Sequence, residues 1–281
     1  MRYIFYWNSM QLNHALVLTL VAGSLVACGG GGSSSPADPA VAVNPPVAPT
    51  ASGDSTGSVS ARFASGDSSR FVLTSIGLQS NGKAGALVQD ASGALSTIGG
   101  IVFTGNPAVT REISGDATFA QGRWFKGAFS SSTGATTLTG NNASAHYVAY
   151  NVLAALPASG TFACDAGTFT APSYTGGSSV PSGADFGTAS GNASMAFDAS
   201  GAKVVLAIDA SAGGSTGKVT ASTTIASPAS SGITGGYLSG GTGAQLVLGD
   251  GGTGRYLLLA AYKVQLANGG NYQGVATFRC S

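Results

Sequence analysis

From Thr56 onward the chain is built of short runs in which apolar and polar side chains alternate, each ended by Gly, Asn, Asp or Ser. Val204, Leu206 and Ile208 fall on one face of such a run and Lys203 and Asp209 on the other, the period-two pattern of a strand with one buried and one wet face. No amphipathic helical stretch of ten or more residues competes. Gly, at 44 of 281 residues and without a G-x-y repeat, supplies turns rather than a collagen. The chain therefore reads as all-β and antiparallel. Eight runs within residues 153–281 are expected as strands: 160–169, 187–197, 202–209, 217–225, 233–239, 244–248, 254–266 and 272–280. Connections such as Asp198-Ala199-Ser200-Gly201 and Gly249-Asp250-Gly251-Gly252 are short enough for hairpins. Together they predict an eight-stranded up-and-down barrel, which leaves no open edge. Residues 56–152 predict a smaller β-rich region, with strands at 57–64, 70–78, 84–90, 95–103, 117–129 with a break at Gly122, 135–139 and 146–152. Its strongest hairpin signal is Asn81-Gly82, because both residues tolerate positive φ.

The first 55 residues follow another logic. Met1–His14 carries Arg2 as its only charge, and the apolar run Ala15–Ala27 is 13 residues long, short of the ~20 that span a bilayer as a helix. The run closes on Leu25-Val26-Ala27-Cys28, which resembles the lipobox of bacterial lipoproteins. That resemblance implies that residues 1–27 are a signal peptide and that Cys28 is the lipidation site, so acyl chains attach the protein to the membrane. Gly29, rather than Asp, beside that cysteine fits outer-membrane delivery under the enterobacterial sorting rule. Residues 28–55 collapse to Gly, Ser, Ala and Pro with few other types, the composition of a tether. The expected location is the outer membrane, lipid-anchored, on its periplasmic face or at the cell surface.

Export places the remaining cysteines in an oxidising compartment. Cys164 lies on the first and Cys280 on the last predicted strand of the second half, and these are neighbours in an eight-stranded barrel. Phe162 shares a face with Cys164, and Ala276 and Phe278 share one with Cys280. A Cys164–Cys280 disulfide across the seam is the expectation; two free or metal-binding thiols are the alternative. The segments Gly122-Arg123-Trp124-Phe125-Lys126-Gly127, His146-Tyr147-Val148, 156–162 and 187–197 resemble the β-barrel module of some FecR-type envelope proteins. More distantly, they are similar to the barrels of transferrin-binding protein B and factor H binding protein. The resemblance covers roughly residues 122–281 and implies an envelope β-barrel on a lipoprotein. It carries over no ligand, because the lysine- and charge-rich loops of the transferrin-binding proteins are absent here.

The chemistry available is sparse. Losing the leader removes Arg2 and leaves eleven cations against eleven carboxylates, so no basic surface recommends nucleic acid. His14 leaves with the leader and His146 remains, a lone imidazole beside Tyr147 that reads as structural. Glu112 is the single Glu, and Asp67, Asp90, Asp198 and Asp250 sit in turn sequences. Asp165 and Asp185 are the pair to consider for acid–base work, although nothing in their spacing brings them together. Residues 213–219 fail as a phosphate loop: Ala212 occupies the first Gly position and Val219 the Ser/Thr position. Gly249-Asp250-Gly251-Gly252 is a turn rather than a calcium repeat. Trp124, Phe125, Phe129, Tyr147 and Tyr150 could line a pocket but read first as core. The sequence thus predicts a non-catalytic binding or interaction module for a protein or small-molecule ligand, without cofactor, metal or nucleic acid. A structural envelope lipoprotein with no dedicated ligand is the alternative.

Overall fold

The structure, a computed structural model, describes residues 55–105, 109–132, 134–140, 144–178 and 184–281. The first half contributes β1 (Ser69–Ser75), β2 (Leu78–Lys83), β3 (Val88–Gln89), β4 (Leu95–Ile98), β5 (Ile101–Thr104), β6 (Val109–Asp116), β7 (Phe119–Phe125), β8 (Ala128–Ser131), β9 (Gly134–Thr137) and β10 (Ser144–Asn151). The second half contributes β11 (Gly160–Ala163), β12 (Thr168–Phe169), β13 (Ser173–Gly177), β14 (Thr188–Asp198), β15 (Gly201–Ala212), β16 (Ser215–Ile225), β17 (Gly232–Gly235), β18 (Gly243–Asp250), β19 (Tyr256–Gln265) and β20 (Gly270–Cys280). A single 3-10 turn, Tyr237–Ser239, interrupts them, and the described residues contain no α-helix. The protein is all-β, and every strand pair is antiparallel.

The strands form four sheets, ordered β3-β4-β5-β8-β9, β2-β1-β10-β7-β6, β12-β20-β19-β18-β17 with β13 also on β20, and β11-β14-β15-β16. Three apolar layers stack them in that order. Leu95, Ile98 and Phe103 meet Phe71, Trp124 and Tyr147 in the first layer. Val72, Phe119, Val148 and Tyr150 meet Val247, Leu257, Leu259 and Val275 in the second, which joins the two halves. Leu246, Leu258, Tyr262 and Phe278 meet Met195, Val204, Leu206 and Val219 in the third. The stacking explains two kinds of strand in one chain. The outermost β15 alternates buried and exposed residues along its length, whereas Leu257 to Tyr262 of β19 are buried without interruption because that sheet is covered on both faces.

The ladders do not close into the expected eight-stranded barrel. The eight strands are divided between a four-stranded and a six-stranded sheet. The first of them, 160–169, is cut into β11, which pairs β14, and β12, which pairs β20; β13, outside the expected strands, also pairs β20. Pro172, just before β13, has no N–H to continue a ladder, though its carbonyl accepts the Gly187 N–H at 2.8 Å. At the other side β17 pairs only β18, and Pro228 lies in the segment leading to it from β16. Cys164 and Cys280 face each other in an isolated antiparallel bridge and form the expected disulfide.

Several strand boundaries differ from the sequence reading. Asn81-Gly82 lies inside β2, paired with Val72 and Phe71, and the hairpin turns instead at Ile76-Gly77, where Gly77 has φ 74°. The stretch 95–103 is two strands around a Gly99-Gly100 turn. Gly122 does not break β7: a Cβ there would lie 2.5 Å from the Tyr147 hydroxyl, so its smallness admits that ring. β6 went unassigned in the sequence because a bulge between Arg111 and Ser114 interrupts its alternation. Its outer edge is covered by the chain entering the fold. Thr56 donates to the Thr110 carbonyl and accepts from the Ile113 N–H, both at 3.0 Å.

Candidate functional site

Successive residues of β7 that point at the second half are Phe119, Gln121, Arg123 and Phe125, and they meet a band of polar partners there. The Arg279 guanidinium lies 4.8 Å from the Phe119 ring and donates to Asp116 at 3.0 Å. Gln121 donates to the Thr168 carbonyl at 3.2 Å and accepts from the Thr277 hydroxyl at 2.7 Å. His146, paired in register with Arg123, is fully buried, with Nδ1 2.8 Å from Thr170 Oγ1 and Nε2 2.8 Å from Ser173 Oγ. Burial, reinforced by the Arg123 charge, holds its pKa well below the ordinary imidazole value. Across the sheet, Thr74 donates to Gln273 at 3.3 Å. Sliding one half over the other would strand these groups unpaired, so the band fixes their relative register.

At its end the band becomes a cation–aromatic cluster. The β6 bulge places Glu112 at φ 50° and Arg111 directly opposite Arg123, a like-charge pairing that costs stability by itself. Glu112 answers one of the two charges. Its carboxylate accepts from Arg123 Nε at 2.7 Å and Nη2 at 2.6 Å, while Arg123 Nη1 donates to Ser144 at 3.0 Å. Arg123 also stacks 4.4 Å from the Phe186 ring. Arg111, Arg123 and Lys126 all lie 5.3 Å from the centre of the Phe125 ring. Arg111 and Lys126 have no carboxylate partner among the described residues, and Arg111 Nε is buried without an acceptor. Among the described residues, therefore, two of the cluster's positive charges have no carboxylate partner. Lys126 and Glu112 are also the two non-glycine residues with positive φ among those described. The reading of Phe125 as core is corrected by this position, whereas Trp124, Phe129, Tyr147 and Tyr150 are buried.

Two clefts open where the halves meet. One, of about 420 Å³, is lined by Ser75, Leu78 and Gln79 from the first half and by Leu238, Gly240 and Lys263 from the second. Burial lowers the Lys263 pKa, and its ammonium sits 5.7 Å from the Tyr237 ring. The other, of about 410 Å³, brings Asp67, Arg70 and Lys83 against Ala229 and Asp250. A larger one, of about 610 Å³, lies on the outer sheet beside Asp209 and Lys218. Residues 213–214 are the β15–β16 turn, and Lys218 pairs with Asp209 at 3.3 Å. In the β18–β19 turn Asp250 accepts the Gly252 N–H at 2.8 Å, and Asp90 and Asp198 likewise cap their own turns. Asp165 faces Arg279, while Asp185 lies beside Tyr272 and Tyr174. No group of three or more His, Cys, Asp or Glu residues that could hold a metal occurs among the described residues. Cys28 lies outside them. No family model, curated protein or solved structure matches this chain.

Proposed function

We propose that this protein is an outer-membrane lipoprotein, anchored through Cys28, whose β-structured body is a non-catalytic binding or interaction module. In this reading β11 and β14–β20, drawn from the four- and six-stranded sheets, act as one eight-stranded barrel, the arrangement implied by the resemblance to FecR-type envelope modules. Its supports are the Cys164–Cys280 bridge between β20 and the end of β11, and the apolar layer shared by β14–β16 and β18–β20. The observation that carries a binding role is the pair of clefts at the border of the halves, each lined from both sides. Ligand sites favour such junctions, and the polar band below keeps the walls in register.

Two measurements test the reading. Cys28→Ala is expected to abolish lipid labelling and membrane retention, and unchanged fractionation overturns the anchor. Native mass spectrometry of the purified full chain, with affinity retention of envelope extract, is expected to show a bound small molecule or protein that Lys263→Ala or Arg70→Ala weakens. Repeated absence of both favours the structural lipoprotein without a ligand.

A further inference from the structure

We infer that the Arg111–Lys126 face of the cation–aromatic cluster binds anionic phospholipid headgroups of the membrane that holds the anchor. The inference rests on the lipid-anchored reading and gives the body a second, electrostatic contact with the bilayer.

Three observations carry it. The first is charge: three cations surround Phe125, Glu112 compensates one, and the other two find no partner among the described residues. In a chain whose charged residues are 8% of the total, a surplus of two cations among the described residues is a local positive patch that an anion can pair with. Arg supplies a planar fork and Lys a mobile point charge. The second is organisation. Glu112 clamps Arg123 from a bulge, so Arg111 and Arg123 are held by β6 and β7, and Lys126 follows directly in the two-residue connection from β7 to β8. The third is position. The described chain enters the fold on the edge of β6, where Ser55 Oγ accepts the Thr110 N–H at 3.1 Å and Thr56 Oγ1 accepts the Glu112 N–H at 3.2 Å. Ser55, the first described residue on the way back to Cys28, thus lies beside Arg111. Residues 29–54 separate the two, a chain that reaches at most about 90 Å when fully extended. A linker of that order holds its two ends at roughly millimolar effective concentration, so even weak phosphate affinity seats this face.

The test uses the full-length lipidated protein reconstituted through its own anchor into vesicles of phosphatidylcholine alone, or with phosphatidylglycerol added. Each basic residue near an anionic surface is worth about fivefold in binding. Acetylation of Lys126 by a water-soluble amine reagent is therefore expected to slow about fivefold or more with phosphatidylglycerol, and to recover in high salt. Lys203 and Lys218, on the outer sheet with side chains 59% and 55% exposed, are expected to react alike in both vesicles. Arg111→Gln should reduce the protection of Lys126. Equal labelling of Lys126 in both vesicles overturns the inference, as does equal protection of Lys203 and Lys218. Protection reproduced in phosphatidylcholine vesicles by millimolar inorganic phosphate also overturns it, by placing a free oxyanion at the site. Flotation in high salt separates the two failures: protein that does not float has lost the anchor reading, and protein that floats without differential labelling has lost this inference alone.

Discussion

Acid should loosen this protein through His146. The imidazole is fully buried between β10 and the segment Thr170–Ser173, with two hydroxyls as partners and the Arg123 guanidinium adding unfavourable charge. Folded, it stays neutral well below the ordinary pKa; unfolded, it takes up a proton near pH 6.5. The unfolded state therefore binds more protons below that value, and stability falls as pH drops, by about 1.4 kcal/mol per unit once the unfolded histidine is fully charged. The penalty is negligible at pH 7 and grows toward acid, to at most about 2 kcal/mol at pH 5 if the folded protein takes up no proton there. The stabilisation is fully present above pH 6.5 and lost on the acid side, down to the depressed folded pKa. His146→Gln keeps an amide able to donate and accept but removes the titration. Denaturant unfolding at pH 7 and pH 5 should show the wild type losing more stability than the variant over that interval, by up to about 2 kcal/mol. Equal losses, or an NMR titration of His146 near 6.5 in the folded protein, would refute the burial argument.

Two further perturbations follow from named contacts. Intact mass after alkylation without reductant should show no free thiol at Cys164 or Cys280. Replacing both with Ser should cost nominally about 4–5 kcal/mol, because their sequence separation is 116 residues; full alkylation of the unreduced protein would overturn the bridge. Glu112→Gln leaves the Arg123 cation, 5% exposed, without its counter-charge. The expected loss is about 2–3 kcal/mol, less than for a fully buried pair because the Glu112 side chain is 28% exposed. Glu112→Gln with Arg123→Met should cost less than the separate changes added together, and strict additivity in denaturant unfolding would deny their coupling.

The class of fold was legible because β14, β15 and β16 have one wet face: Val204, Leu206 and Ile208 announce a strand by alternation, and the turns at 199–200 and 213–214 lie where Gly and Ser permit them. The disulfide was legible once Cys28 was set aside. Less was visible where a residue's meaning depends on a partner distant in sequence. Gly122 reads as a break until Tyr147 is placed over it, and Asn81-Gly82 reads as a turn until β2 is paired with β1. The Arg111–Glu112–Arg123–Lys126 cluster was within reach of the sequence in one respect: three of the chain's twelve cations and its only Glu lie within sixteen residues. Phe186, which completes the aromatic side, comes from the other half.

The apolar run Tyr256–Val264 shows what a single-sheet reading omits. Its length is that of a strand and its periodicity is nearly absent, so it supports neither a spanning helix nor a half-wet strand. Burial on both faces resolves this: Leu257 and Leu259 pack toward β1 and β10, whereas Leu258, Ala260 and Tyr262 pack toward β14–β16. The same reasoning applies to β1 and β10, where Phe71-Val72-Leu73 and Tyr147-Val148 are buried in succession. In an antiparallel protein, strands that lose their alternation are therefore the interior layers, and strands that keep it are the outer ones. Polar residues within the non-alternating strands, Thr74, His146, Gln273 and Thr277, then cannot be solvated faces. They must find partners across a layer, and the band at the border of the halves is where they do so.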